Sequence, residues 1–327
     1  MEQNHLGNAA SERLLTYHCP ADIYAVAWSP NGKYIASGGR GEIVEVWDVR
    51  TGDLCQTYRN HAAPIISISW SPDSRYIASA GLDDTLRVWN ASDGSLLMSY
   101  WGHGGNIHDV NAFSWSRDGN YIASVFWKQT VNIIPVSPQS HIPAPKEVGV
   151  FRGHTDRVKA VAWSPDGQRL VSGGNDRTAQ IWDKSGRLLH TYRQHQHEVH
   201  ALSWSPDGKY VASGDEGEIS HFSAGNSSSI HVWNSYTGET VVRYDGHDTG
   251  SYGIYSLSWS PDGKHIASSS DDAFDVVHIW HALSGQRLYA FSSEAGIVPA
   301  LAWSPDGRYL AGAGNGAHNR KIEIWKL

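Results

Sequence analysis

Three histidines close together are the residues of this sequence whose type and spacing best suit chemistry. They lie in the segment His195-Gln-His197-Glu-Val-His200. Residues two apart share one side of a strand, so His195 and His197 could present two imidazoles to one ion, as zinc prefers. His221 or His231 could supply a further ligand. The segment therefore supports one hypothesis, a metal-dependent hydrolase or lyase with a site near residues 195–200.

Other sequence patterns typical of catalysis are missing. The Gly-Lys pairs beginning at Gly32, Gly208 and Gly263 lack the upstream glycine and the following Ser or Thr of a phosphate-binding loop. The chain contains no Gly-x-Ser-x-Gly nucleophile elbow. Apart from the histidine segment, the sequence predicts neither an enzyme nor a bound cofactor.

Composition narrows the class of protein further. The formal net charge is −7, which disfavours nucleic acid as a partner because that role needs a basic surface. No apolar run reaches the roughly 20 residues of a membrane helix, and residues 1–11 lack the apolar centre of a signal peptide. Cys19 and Cys55 stand alone, which indicates a reducing compartment. We therefore expect a cytoplasmic protein that contacts neither membrane nor nucleic acid.

The elements that position these residues come from an internal repeat. A Trp-Ser-Pro or Trp-Ser-Arg unit recurs seven times, at Trp28, Trp70, Trp115, Trp163, Trp204, Trp259 and Trp303. A second tryptophan follows in six copies, at Trp47, Trp89, Trp182, Trp233, Trp280 and Trp325, and Ile134 replaces it in the third. A period of 41 to 55 residues is typical of propeller blades.

The fourth copy shows the pattern of one blade. Four short runs with strand character, residues 158–163, 169–172, 179–182 and 188–192, are separated by turns. The first turn is Ser-Pro-Asp-Gly, in which proline presets φ and glycine accepts a positive φ. One such sheet cannot bury both faces, whereas seven packed around an axis can. The sequence therefore predicts an all-β, seven-bladed β-propeller with four antiparallel strands per blade.

The two ends of the chain predict how the ring closes. Residues 13–17 (RLLTY) are similar to the outer strand at residues 187–192 (RLLHTY), and the chain stops at Leu327, just after a third strand. Joining this spare first strand to the last blade removes a free edge. We expect one propeller domain over residues 13–327, preceded by a flexible tail at 1–12.

With the seven Trp-Ser-Pro/Arg units and the pairs Trp47-Asp48 and Trp182-Asp183, the chain resembles the WD-repeat family over about residues 13–327. The tryptophan-rich, nearly uniform copies look more like its bacterial members. The resemblance implies a buried hydrogen-bonded network of His, Ser, Asp and Trp in each blade. Two blades match it in full: blade 2 with His61, Ser79, Asp83 and Trp89, and blade 4 with His154, Ser172, Asp176 and Trp182.

Three blades depart from that network, and one candidate metal ligand falls within it. Blade 1 has Gly41 at the Asp position, blade 3 has Lys128 there, and blade 7 offers Glu294 near the His position. We expect apolar packing to hold these blades. His195 aligns with His61 and His154, which favours a structural role for His195 over metal binding.

The inner strands disfavour a catalytic centre on the axis. The residues three and one before each first tryptophan are only Ala or Ser, from Ala25 and Ala27 in blade 1 to Ala300 and Ala302 in blade 7. Small side chains allow the blades to approach where the ring is narrowest, but they offer no acid, base or metal ligand.

One face of the ring is the better candidate for binding. Its loops, which link the second to the third strand and each blade to the next, are the longer ones, and we call this face the top. Four residues before each first tryptophan the side chain varies, which suits an asymmetric ligand, and these residues are Tyr24, Ile66, Asn111, Lys159, His200, Tyr255 and Pro299. The turns between second and third strands add Arg40, Leu82, Trp127, Asn175 and Asp271. The proline-rich loop at residues 135–146 is the alternative, on the bottom face.

Two further features of the top face support binding there. Trp101 and Trp127 lie outside the repeat pattern, and tryptophan is a frequent interface anchor. Charged residues of opposite sign are also predicted on different blades. Blades 3 and 4 carry the basic residues Lys128, Arg157, Lys159 and Arg177. Blades 5 and 6 carry the acidic residues Asp215, Glu216, Glu218, Asp248, Asp271 and Asp272. The sequence therefore predicts a non-catalytic scaffold, monomeric on its own, that binds a protein or peptide. The alternatives are the rim metalloenzyme and a structural subunit of a larger assembly.

Overall fold

The computed structural model describes residues 12–19, 21–101, 110–126, 128–136, 148–217, 228–247, 253–270, 276–294, 296–315 and 320–327. These residues form 28 strands in seven four-stranded antiparallel sheets, and no helix occurs among them. The predicted seven-bladed propeller is confirmed. Within these ranges there is no helix of the length and apolar character needed to span a membrane. Residues 1–11 fall outside the described ranges, so the flexible tail stays a prediction.

The first three blades are consecutive in the chain. Blade 1 is built from β2 (Ile23–Trp28), β3 (Tyr34–Gly39), β4 (Val44–Asp48) and β5 (Leu54–Tyr58). Blade 2 is built from β6 (Ile65–Trp70), β7 (Tyr76–Gly81), β8 (Thr85–Asn90) and β9 (Leu96–Trp101). Blade 3 is built from β10 (Val110–Trp115), β11 (Tyr121–Phe126), β12 (Thr130–Pro135) and β13 (Gly149–Arg152).

The next three blades follow the same order from the inner to the outer strand. Blade 4 is built from β14 (Val158–Trp163), β15 (Arg169–Gly174), β16 (Ala179–Asp183) and β17 (Leu188–Tyr192). Blade 5 is built from β18 (Val199–Trp204), β19 (Tyr210–Asp215), β20 (Ile230–Asn234) and β21 (Thr240–Tyr244). Blade 6 is built from β22 (Ile254–Trp259), β23 (His265–Ser270), β24 (Val277–His281) and β25 (Arg287–Phe291).

Blade 7 closes the ring with a strand from the other end of the chain. It contains β26 (Ile297–Trp303), β27 (Tyr309–Asn315) and β28 (Lys321–Lys326), and its outer strand is β1 (Glu12–His18). β1 runs antiparallel to β28, with Tyr17 opposite Ile322. The predicted closure by an N-terminal strand is therefore confirmed.

The Ser-Pro-Asp-Gly turns are held by their own side chains. In blade 4, the Ser164 hydroxyl donates to Asp166 Oδ1 at 2.5 Å, and the same oxygen accepts the Gln168 backbone N–H at 2.9 Å. Gly167 has a φ of 67°, in the left-handed region that favours glycine. The turn therefore fixes the link between inner and second strand locally, and each blade can repeat it.

Stacked aromatic rings join neighbouring blades. Tyr58 at the end of β5 stacks on Trp89 of blade 2, with ring centroids 4.8 Å apart and nearly parallel planes. Tyr192 and Trp233 repeat this contact between blades 4 and 5 at 4.6 Å. Because each outer strand packs on the third strand of the next blade, the tryptophan repeat serves the contacts between blades as well as the blade itself.

Candidate partner-binding surface

A β-bulge occurs near the start of the inner strand in every blade. In blade 1, Ile23 pairs with Gly39 and Ala25 with Gly38, so Tyr24 between them has no partner in the ladder. The other residues in this position are Ile66, Asn111, Lys159, His200 and Tyr255, and in blade 7 the bulge contains Val298 and Pro299. A bulge turns a side chain out of the alternation of its strand. The seven variable positions of the sequence are therefore the bulged residues.

These residues surround the opening at which the inner strands begin, and we call this set the top mouth. The side chains of Tyr24, Ile66, Lys159, His200, Tyr255 and Pro299 are all half-buried, whereas the preceding residues, such as Ile23 and Val199, are buried. The Asn111 side chain lies outside what the structure describes. The bulge thus separates a residue that packs between blades from one that solvent can reach.

The turns between second and third strands lie on the same face. Arg40 is exposed, with Nη1 at 3.6 Å from Asp22 Oδ2. Leu82 is exposed, and Asn175 is half-buried with an Oδ1 atom that is shielded from water and has no hydrogen-bond partner in the described chain. Trp127 and Asp271 are outside the described residues, as is most of the proline-rich loop. Trp101, at the end of β9, is exposed.

Among the described residues, the metal site hypothesised from His195, His197 and His200 does not form. His195 is buried, and both of its ring nitrogens are engaged: Nδ1 with Asp215 Oδ2 at 2.9 Å and Nε2 with the Ser213 hydroxyl at 2.7 Å. His231 is also engaged through both nitrogens, with the Tyr192 and Ser229 hydroxyls. His221 lies outside the described residues, and His197 is half-buried without joining any described group of metal-binding side chains. His195, His197 and His200 therefore do not share one ion.

Asp215 must be reassigned from the exposed acidic group to the core of blade 5. It accepts from His195 and from the Ser229 backbone N–H, and Trp233 Nε1 donates to Ser213 at 3.0 Å. Blade 5 thus has a complete His-Ser-Asp-Trp network. Sequence spacing conceals it, because this aspartate ends the second strand, whereas Asp83 and Asp176 follow that strand within the turn.

The two networks predicted from the family resemblance differ in one contact. In blade 4, His154 bonds Asp176 and Ser172, both at 2.8 Å, and Trp182 Nε1 donates to Ser172 at 2.8 Å. In blade 2, His61 bonds Asp83 at 3.0 Å and Ser79 at 2.8 Å. The Trp89 Nε1 atom, however, has no hydrogen-bond partner in the described chain. Trp89 therefore packs beside the network without joining it, contrary to the expectation.

Blades 1 and 7 do not rest on apolar packing alone. In blade 1, Trp47 Nε1 donates to Ser37 at 3.2 Å, and buried Cys19 precedes Ser37 by the same 18 residues that separate His154 from Ser172. In blade 7, Lys321 Nζ lies 2.7 Å from Glu294 Oε2 and 3.5 Å from Glu323 Oε1. Blade 7 therefore replaces the usual network with charged pairs. In blade 3, Ile134 is fully buried where tryptophan is usual.

Charge at the top mouth is concentrated between blades 4 and 5. His200 Nε2 lies 3.0 Å from Glu216 Oε2 and 3.6 Å from Glu198 Oε2. The contact with His200, with a smaller contribution from the Lys159 ammonium, lowers the pKa of the Glu216 carboxyl. Arg157 and Arg177 are exposed on the neighbouring blade. A basic edge on blade 4 therefore faces an acidic edge on blade 5. Glu198 was not among the predicted site residues.

The bottom face carries grooves between blades. The groove between blades 1 and 2 has a volume of about 550 Å³ and is lined by Tyr34, Cys55, Trp70 and Arg75, among others. At the corresponding place between blades 4 and 5, the Arg169 guanidinium lies 4.9 Å from the Trp204 ring and 4.2 Å from the Tyr236 ring. A groove of this kind therefore occurs between more than one pair of blades, and the Arg169 side chain fills the groove between blades 4 and 5.

The seven four-stranded sheets and the tryptophan repeat together define the class of this protein, a seven-bladed β-propeller. The chain belongs to the family described as WD domain, G-beta repeat, whose model matches residues 11–48, 52–90, 94–134, 145–183, 186–234, 238–274 and 285–326. This result confirms the resemblance seen in the sequence.

Three relatives illustrate the breadth of that family. The WD40 repeat-containing protein HOS15 of Arabidopsis thaliana is 35% identical over 75% of this chain and 38% of its own length. The WD repeat-containing protein slp1 of Schizosaccharomyces pombe is 28% identical over 79% and 40%. Arabidopsis cell division cycle 20.1, described as a cofactor of the APC complex, is 28% identical over 41% and 28%. The chain thus spans less than half the length of each. All three are eukaryotic, and the bacterial-type expectation stays a prediction.

Proposed function

We propose that this chain is a non-catalytic scaffold that binds a protein or peptide at its top mouth. The observation that carries the proposal is the ring of bulged residues. Their side chains change from aromatic to aliphatic to cationic around the ring, while the strands that hold them repeat. Varied side chains on a rigid frame suit the recognition of one asymmetric partner.

The charge distribution supports a partner with its own polarity. Lys159 in blade 4 and Glu216 in blade 5 are neighbours at the mouth and have opposite charge. Half-buried Tyr24 and Tyr255 add aromatic surface with polar hydroxyls, which is typical of interface anchors. Charge would orient the partner, and the aromatic rings would supply most of the binding energy.

The comparisons support the general type of function. One relative is described as a cofactor of a complex, which is a role in an assembly of proteins. On this analogy, the chain binds a protein rather than transforming a substrate, and it could do so as a subunit of a larger assembly. Small side chains of the described inner strands, such as Ala25, Ala160 and Ala201, are buried, and Ala25 and Ala201 pack against the next blade, so these positions supply packing rather than a catalytic group. Cytoplasmic location and a monomeric state in isolation stay predictions.

Affinity capture from the native source with mass spectrometry tests this proposal. Tyr255→Ala and Lys159→Ala should reduce recovery of the partners, because loss of an interface anchor costs about 2 kcal/mol or more. Arg75→Ala, exposed on the bottom face, is the matched control and should recover the same partners as the unmodified chain. If the Arg75 variant loses the partners and both top-mouth variants keep them, the bottom face is the binding surface.

A further inference from the structure

Three metal-binding side chains converge at the edge of blade 5, and only one of them, His200, belongs to the His195-His197-His200 pattern. They are Glu198, His200 and Glu216. One ligand atom from each lies within 4.8 Å of the other two. Among the described residues, this is the one group of three such side chains. We propose that these residues bind one Zn²⁺ ion at the top mouth.

The distances suit one ion. His200 Nε2 is 3.0 Å from Glu216 Oε2 and 3.6 Å from Glu198 Oε2. Tetrahedral zinc with ligand bonds of about 2.0–2.2 Å has its ligand atoms roughly 3.4 Å apart. The three atoms therefore need to move little to enclose an ion. One imidazole nitrogen and two carboxylates form a mixed N/O set that zinc accepts, and three protein ligands leave a fourth position open.

The histidine supplies an independent observation. Its Nε2 atom is shielded from water and faces both carboxylates, with Glu216 Oε2 at 3.0 Å and Glu198 Oε2 at 3.6 Å. A shielded imidazole nitrogen that faces two carboxylate oxygens is arranged as a metal ligand is. Zn²⁺ would also offset the repulsion between the two acidic groups.

The backbone holds the two strands that carry these ligands. The Glu216 N–H donates to the Glu198 carbonyl at 3.0 Å, and Val199 pairs with Asp215 in the ladder between β18 and β19. Asp215 is locked in the blade 5 network by His195. Glu198 directly precedes β18, which contains His200, and Glu216 directly follows β19. Ligands on paired strands keep their spacing without an ion, so little ordering is needed when it binds.

Lys159 is the competing cation. Its ammonium acts on the Glu216 carboxyl from the adjacent blade. An ion in the site would face this positive charge, so the lysine would weaken its affinity. The competition also gives a way to localise the ion, because Lys159 can affect only an ion that binds close to it.

Calorimetric titration of the metal-free full chain with ZnCl₂ tests the proposal. A Cys55→Ser background removes the exposed thiol as a rival ligand. One equivalent of Zn²⁺ should bind. His200→Asn and Glu216→Gln should each weaken binding at least about 100-fold, since even outer partners of metal ligands contribute 10- to 100-fold. Lys159→Met should bind more tightly.

His197→Asn is the matched control, because this half-buried histidine lies in the same segment but outside the cluster. It should bind Zn²⁺ as tightly as the background chain. Circular dichroism melting of each variant verifies that it is folded, and Glu198→Gln replaces any variant that is not. Absence of binding at millimolar Zn²⁺ overturns the proposal. So does an affinity that the His200 and Glu216 variants leave unchanged, which would mean an adventitious ion only. The titration uses the chain alone, so its outcome is independent of the proposed partner binding.

Discussion

Arg320 donates from Nε to Asp22 Oδ1 at 3.1 Å, across the joint between the last and first blades. The two residues are 298 positions apart in the chain. The same carboxylate also lies 3.6 Å from Arg40 Nη1 in blade 1. Asp22 is nearly buried, whereas both arginines extend into solvent. The closure of the ring therefore has two parts, an ion pair on the top face and the ladder between β1 and β28.

Deletion of residues 1–17 tests the ladder. The deletion removes most of β1 and leaves β28 as a free edge with unpaired backbone groups, so we expect a lower melting temperature or aggregation. Thermal melting and size-exclusion chromatography measure both. A shorter deletion of residues 1–11 leaves β1 in place and is the control. An unchanged melting temperature and monomeric elution for residues 18–327 would show that β1 is not needed for closure.

Matched tryptophan variants separate the hydrogen bond from packing in the blade networks. Trp182 and Trp89 are both fully buried, but only Trp182 donates to a serine. Replacement by Phe leaves a similar cavity at each site. Trp182→Phe should therefore cost about 1 kcal/mol more than Trp89→Phe, the usual net contribution of one hydrogen bond. Urea unfolding measures both free energies. Equal losses would contradict the assignment of Trp182 as the network donor.

Loss of a network aspartate should destabilise the fold more than a substitution at Gly41, the residue that stands at the aspartate position in blade 1. Asp83→Ala and Asp176→Ala each remove the acceptor of a buried histidine, at a cost of about 1–3 kcal/mol in the free energy of unfolding. Gly41→Asp should cost less than either, although a Cβ at Gly41 would come within 3.1 Å of Ala21. Chemical denaturation compares the three. Equal large losses would mean that blade 1 is as strictly constrained as blades 2 and 4.

Stability should fall in mild acid because of two stacked histidine pairs. His195 stacks on His231 with ring centroids 4.2 Å apart, and His247 on His278 at 3.8 Å. Burial, reinforced by the adjacent histidine, lowers the pKa of His231 to about 3 and that of His247 well below its usual range. The His231 and His247 imidazoles are therefore neutral in the folded chain and take up a proton when the chain unfolds.

The lowered pKa values determine the direction in which stability changes with pH. The stabilisation is fully present above the unfolded pKa of about 6.5 and is lost as pH falls toward about 3, by roughly 1.4 kcal/mol per pH unit for each group. Urea unfolding at pH 7, 6, 5 and 4 measures the slope. His231→Gln should make the slope shallower, because one group no longer titrates. Asp215 opposes the shift at His231 but does not cancel it. A slope unaffected by this substitution would exclude His231 as a source.

Arg169 should not be replaceable by lysine. Its guanidinium donates to the Ser235 hydroxyl at 2.9 Å and to the Gly208 carbonyl at 2.7 Å while lying between two aromatic rings. Lysine lacks the planar fork that makes these contacts together. Arg169→Lys should cost about 1–3 kcal/mol, measured by urea unfolding. Exposed Arg193→Lys is the control and should be neutral. A neutral Arg169→Lys would mean that packing alone fills the groove.

The repeat made the propeller and its closure predictable because both depend on periodic residues. The seven Trp-Ser-Pro/Arg units set the blades, and residues 13–17 matched an outer strand closely enough to be placed in blade 7. The bulged positions were found as a variable register. Their physical cause, one extra residue in each inner strand, becomes visible only when the pairing is known.

Contacts that break the period were not predictable. Asp215 performs the role of Asp176 from a different position, so alignment by spacing misplaced it. Glu198 and Glu216 are 18 residues apart in the chain and meet only through the ladder between β18 and β19. Likewise, nothing in the spacing of Trp89 distinguishes it from Trp182, because the hydrogen bond depends on small differences in ring placement.

The bulges have a consequence for how such a chain can diverge. A residue outside the ladder contributes little to the pairing of its strand, so its replacement leaves the buried residues before and after it in place. Substitutions at bulged positions such as Tyr24 should therefore disturb the strand pairing little. A duplicated copy could acquire a new partner through a few substitutions at this ring alone, with its stability largely retained.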